Sequence, residues 1–447
     1  MTNINNLKLN GIIIAIFLIS LDAYLFGNIP IQWIGLSVLL FLFILNFKKI
    51  TSNFSSIIYT LMTLMILPIL FEIFSDIEIL LERDYQLRLF NYLSFFLVIY
   101  VSYSFLQSID QKLFMDQLEK LLIIISVITI YIYLSQIFDL YEPIRNRSNT
   151  NSLGNDAQST FWPYEPHRAM GTFREPVLFV SYIFPLSLIL LFGKKNISSI
   201  SILIIALSLG LTRSDLLRIF AISGIVLFSI LYIFKKSENN KIILFLSGAL
   251  LFSFISIQEC KINPTSNECL EISVEESIEL ISFEDIDTIT ELDTDRKNII
   301  DFLSNRDMNF FGKGFNSIVQ EYQQYLTKEI NEEMYITNRV LPNYLNKRYQ
   351  SENFGTGNYS FNFYKPNTQS LLVNTIISSG LIFLLILFSF PIYKFLIKED
   401  YESLLKILFL FLFFFVIPVE EFNALTGLIF GYGFRLLDMG VSVDKSI

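Results

Sequence analysis

Apolar residues along this chain come in long blocks, with neither the two-residue alternation of a half-buried strand nor the narrow stripe of a surface helix. Blocks near 11–27, 31–47, 55–74, 89–107, 119–139, 175–192, 197–212, 216–234, 242–257, 369–393, 403–418 and 423–439 carry almost no charge. A helix needs roughly 17–25 apolar residues to cross the hydrocarbon core of a bilayer. Inside that core every backbone polar group must find a partner within the segment, which a helix provides. The pattern therefore predicts an all-α polytopic membrane protein with about twelve transmembrane helices. Polar residues collect between the blocks in loops of very unequal length. They divide the chain into five helices over 1–139, a long loop over 140–174, helices six to nine over 175–257, a large and partly helical loop over 258–366, and three helices over 367–447.

The charges in these loops predict an orientation. Lys48 and Lys49, Lys112 and Lys120, Lys194 and Lys195, Lys235, Lys236 and Lys241, and Lys394, Lys398 and Lys406 fall in alternate loops. Basic residues in short loops mark the cytoplasmic side. Both termini are thus expected in the cytoplasm, with 140–174 and 258–366 outside a cytoplasmic (inner) membrane. Most arginines fall on the opposite, outer side, among them Arg168, Arg174, Arg213 and Arg218. Arginine outside runs against the topology rule and calls for another reason. Its planar fork holds a phosphate through two parallel hydrogen bonds, which a lysine point charge cannot do.

Composition narrows the chemistry. The net charge of −9 comes largely from one acidic stretch, Glu271 to Asp295, and says little about partners; no nucleic acid is expected among them. The single histidine, His167, excludes a histidine-rich metal site, and with two cysteines, Cys260 and Cys269, it excludes a zinc cluster. No cofactor is expected. The cysteines share the large loop on the oxidising side, where two readings stand: a disulfide or two free thiols.

The segment Arg168-Ala-Met-Gly171-Thr-Phe-Arg174-Glu175-Pro176 closes the first long loop and opens an apolar run. Proline is favoured in the first turn of a helix, where its missing N–H costs nothing. Pro176 therefore predicts a helix start, with Glu175 beside the positive end of the helix dipole. The free N–H groups of such a turn also receive phosphate. Trp162 and Tyr164 lead into this segment, as interfacial anchors or as platforms for sugar rings. Asp22, Glu72, Glu420 and Glu421 sit in or beside apolar runs, where ionisable groups are costly and mark function by default.

Four segments in this order carry a resemblance. Arg168 to Pro176 resembles the Arg-x-x-Gly-x-Phe-x-Glu-Pro segment of the O-antigen polymerase and O-antigen ligase superfamily. Thr212-Arg213-Ser214 is similar to its Ser/Thr-Arg-small segment, Phe311 to Asn316 to its Gly-x-Gly segment, and Asn367 to Gly380 to its Asn-x-x-Leu…Gly signature. The histidine that ligases of this superfamily carry before the last of these has no counterpart in Pro366-Asn367-Thr368-Gln369, which favours a polymerase.

The resemblance implies a GT-C-like, metal-independent membrane glycosyltransferase that polymerises O-antigen or capsule. A growing glycan would leave undecaprenyl pyrophosphate for the next lipid-linked repeat unit, alongside membrane lipids, a chain-length regulator and a flippase. On this reading Arg168, Arg174, Arg213 and Arg218 bind the pyrophosphate and Glu175 or Glu420 takes the acceptor proton. Trp162, Tyr164 and Asn367 contact sugar. Ligase-type transfer to another acceptor and a lipid-linked oligosaccharide flippase remain the alternatives.

Overall fold

The computed structural model describes residues 2–21, 25–26, 29–51, 56–81, 83–108, 111–137, 169–173, 176–194, 196–235, 240–254, 310–314, 371–398, 401–416 and 426–431. Helices α1 (Thr2–Ile19), α2 (Ile31–Thr51), α3 (Ser56–Ser75), α4 (Arg83–Ser108) and α5 (Gln111–Ile137) form the first half. After them come α6 (Pro176–Gly193), α7 (Ser199–Gly210), α8 (Asp215–Lys235) and α9 (Asn240–Phe252). Helices α10 (Leu371–Ser378), α11 (Leu381–Lys398) and α12 (Tyr401–Val416) follow, with a helical turn at 426–431. The described β structure is a two-residue antiparallel pairing, Leu25–Phe26 with Ile29–Pro30. Leu, Ile and Phe side chains from all these helices share one continuous core.

The fold is that of a helical membrane protein. Among the described residues, three helices are long and apolar enough to cross a bilayer, or four if a bent pair is one span, against the twelve expected. Seven further apolar helices are shorter than that test requires.

Two expected boundaries are corrected. The first helix was expected over 11–27 and instead ends at Ile19. Ser20 closes it, its N–H donating to Ile16 and Phe17 and its hydroxyl to the Phe17 carbonyl. A helix end leaves carbonyls without partners. Here Tyr182 Oη donates to Ile16 O at 2.5 Å and Thr172 Oγ1 to Ser20 O at 2.6 Å, so the end is satisfied by side chains from 150 residues away. The helix expected over 369–393 is two helices: α10 stops at Ser378, and α11 leaves at 115° to it. Gly380 makes the break with φ +87°, a backbone conformation that side-chain-bearing residues rarely adopt.

Contacts sort the helix ends into two groups. At one end Lys194, after α6, pairs with Asp116 and, at 2.5 Å, with Glu119 of α5. Partial burial alone would lower the Lys194 pKa, but the hydrogen bonds it donates to both carboxylates hold it above the usual lysine range. Lys406 bonds Glu402 at 2.6 Å and lies over the Phe192 ring at the same end of α6. At the other end Thr172 meets Ser20, Ala169 meets Leu211, and Arg218 meets Ser253. Lys194 and Lys406 thus lie at the first end, and Arg213 and Arg218 at the second.

Candidate functional site

The turn 169–173 is built on backbone contacts. Ala169 donates its N–H to Leu211 O at 2.8 Å, and Phe173 N–H returns to Met170 O at 3.0 Å. Gly171 has φ +53°, and a Cβ there would meet Thr129 Oγ1 of α5 at 2.3 Å. Phe173 packs edge-on to Phe179 and tilted against Tyr182, fixing the turn over the start of α6. Helix α6 begins at Pro176, as the proline predicts.

Leu211, the acceptor of that bond, is where α7 unwinds. Leu211 N–H bonds Leu207 O, Thr212 N–H bonds Leu209 O and Arg213 N–H bonds Gly210 O, so the last turn tightens before the chain reverses. Thr212 Oγ1 also donates to Leu209 O at 2.6 Å. Arg213 then takes φ +50°, the one positive φ outside glycine among the described residues. Helices often end on a left-handed residue, but glycine or asparagine usually supplies it. An arginine there costs roughly 1–2 kcal/mol of backbone strain.

The resembling segments therefore meet in pairs. Residues 169–173 and 211–213 touch through Ala169 and Leu211, 42 positions apart in the sequence. The Gly-x-Gly segment meets the last one in the same way. Lys313 N–H donates to Ile377 O at 2.9 Å, Gly314 N–H to Ser378 O at 3.2 Å, and Ile382 N–H to Phe310 O at 3.2 Å. The large loop thus seals backbone groups that the break between α10 and α11 would leave unpaired in a bilayer. A Cβ on Gly312 would lie 1.9 Å from Ser378 O, and one on Gly380 2.4 Å from Phe310 O. Both glycines are needed for two backbones to come this close.

Of the expected site residues, Arg213 and Arg218 are described. Arg218 Nε donates to Ser253 Oγ at 3.2 Å and Nη2 to Ser253 O at 3.0 Å, with the guanidinium 5.1 Å from the Phe254 ring centre. It caps the carbonyl end of α9, where a cation also suits the helix dipole. Arg168, Arg174, Glu175, Glu420, Trp162, Tyr164, Asn367, Cys260 and Cys269 lie outside the described residues, as does Asp22.

Sequence reasoning marked Glu72 as a functional candidate but gave it no role in the site. It stands in the last turn of α3, and the Gly314 turn is packed against its carboxylate. The buried Tyr85 faces it from α4; burial first, and then the Glu72 carboxylate, push the Tyr85 phenol above its ordinary range. The signal was present, since Glu72 interrupts an apolar run, but nothing in the sequence linked it to a turn some 240 residues later.

No family model, curated protein or solved structure matches this chain.

Proposed function

We propose that this chain is a membrane glycosyltransferase that polymerises a surface polysaccharide, with twelve spans and a GT-C-like arrangement. In this reading the growing glycan leaves undecaprenyl pyrophosphate and joins the terminal sugar of the next lipid-linked unit, on the outer side of the cytoplasmic membrane. The observation that supports it is the Ala169–Leu211 backbone bond, which joins the turn following Arg168 to the turn containing Arg213. Charge gathers on the leaving pyrophosphate as the glycosidic bond breaks, and fixed donors aimed there are usually the largest catalytic term. Arg168, Arg174 and Arg213 are the donors. Arg218 stands beside them, with its guanidinium also bonded to Ser253. The acceptor hydroxyl loses its proton to a carboxylate, Glu175 first and Glu420 second. A chain-length regulator and a flippase are its expected partners.

Deleting the gene tests the reading. The expected surface glycan carries single repeat units without the ladder of longer chains. A ladder of normal length overturns the proposal, and loss of all transferred glycan points to ligation or flipping instead.

Topology is checked separately. Lys112 and Lys313 are both exposed and belong to opposite helix ends. With Cys260 and Cys269 replaced by serine, Lys313→Cys is expected to react with a membrane-impermeant maleimide on intact cells, and Lys112→Cys only after lysis. The reverse pattern inverts the orientation.

A further inference from the structure

Glu72 is an ionisable group near the end of an apolar helix, where a charge is costly unless it is compensated and used. Two distant parts of the chain meet it. Tyr85 of α4 is buried and faces the carboxylate, close enough for the Glu72 charge to act on its phenol. The Gly314 backbone approaches so closely that a Cβ would lie 2.5 Å from Oε2, and with φ +94° the position also suits glycine by conformation. Behind Gly314 stands Ser378, whose hydroxyl is 3.2 Å from Tyr92 Oη. Glu72 itself is only half-buried, so part of it stays accessible. In the same five-residue turn, Phe310 and Phe311 are 63% and 69% exposed.

We infer that Glu72 and the Phe310–Gly314 turn form a sugar-binding site, with the carboxylate accepting hydrogen bonds from ring hydroxyls and the exposed rings covering the apolar C–H face of the sugar. A pyranose has both surfaces, and a carboxylate accepts from two neighbouring hydroxyls at once. Hydrogen bonds to a charged acceptor are the stronger kind, which suits recognition of a neutral, well-hydrated ligand. Anchoring in lipid fits less well. Driving the two rings into the bilayer would draw the Glu72 carboxylate toward hydrocarbon. That the ligand is the repeat-unit glycan rests on the polymerase reading; that it is a sugar rests on the groups in the site.

The probe is the repeat-unit oligosaccharide released by mild acid from the lipid-linked pool of the same cells. Its binding to full-length protein in nanodiscs is followed by saturation-transfer NMR. Wild-type protein is expected to bind, Glu72→Gln to weaken binding about tenfold or more, as loss of bonds to a charged group does, and Phe311→Ala severalfold. Seating of the turn is checked by maleimide reaction at Ser379→Cys, a position 2% exposed in the native fold. Should Glu72→Gln unseat the turn, Phe311→Ala decides alone. No binding by wild-type protein, or unchanged affinity in the deciding variants, overturns the site and leaves the deletion phenotype untouched. A normal glycan ladder in the deletion strain overturns the polymerase reading and leaves a measured Glu72-dependent affinity standing.

Discussion

Alanine at Gly312 is expected to lift the Phe310–Gly314 turn off the helix break and open Ser379 to a water-soluble maleimide. The new methyl would lie 1.9 Å from Ser378 O, 2.4 Å from Ser378 C and 2.5 Å from Ser379 Cα. All three are backbone atoms, so no rotamer change relieves the contact. Local overpacking costs about 1–3 kcal/mol when side chains can shift, and more when they cannot. What holds the turn down is three backbone hydrogen bonds, from Lys313, Gly314 and Ile382. At about 0.5–1.5 kcal/mol net each, their sum is comparable to the clash. The contact is therefore relieved by losing the turn rather than by compressing it. The measurement is the labelling rate of Ser379→Cys with and without Gly312→Ala, in protein whose native cysteines are replaced. An unchanged rate would mean that the two backbones separate by a few tenths of an ångström and stay paired.

What the sequence could and could not reveal divides along one physical line. Apolar blocks report which segments prefer lipid, and Pro176 reports a helix start through its missing donor, so most helices and the beginning of α6 were legible. The end of α1 was not. The run Gly11 to Gly27 is apolar apart from a few residues such as Asp22, and the helix ends at Ile19, where Tyr182 and Thr172 donate to the Ile16 and Ser20 carbonyls. Those partners come from another helix and another loop, and no local window contains them. The same holds for the break at Gly380. Glycine inside an apolar run is tolerated in membrane helices, and nothing in the run shows that the Phe310–Gly312 backbone packs against this one at a corner. Arg213 and Arg218 looked alike, two arginines five positions apart at an outer helix end. The fold separates them: Arg218 reaches the end of α9, while Arg213 occupies the strained position that closes α7.

That strain makes Arg213 the most informative residue to change. At φ +50° a glycine is at no steric disadvantage, whereas arginine pays about 1–2 kcal/mol. Strained positions persist where the surroundings over-determine them, and they cluster at sites of function. If the side chain served only the turn, glycine would be the better residue. Two substitutions separate the roles. Arg213→Gly relieves the backbone, and the thermal midpoint of the purified protein is expected to stay level or rise. Chain extension is nevertheless expected to collapse, because removing one donor to a developing negative charge costs roughly 100- to 1000-fold in rate. Arg213→Lys keeps both the charge and the strained φ but gives up the bidentate fork. It is expected to fail in extension nearly as badly, at normal protein level. On a glycan gel both variants would show single repeat units in place of the ladder. A full ladder from Arg213→Gly at normal expression would sink the pyrophosphate assignment, since neither charge nor guanidinium would then be needed at the turn that meets Ala169.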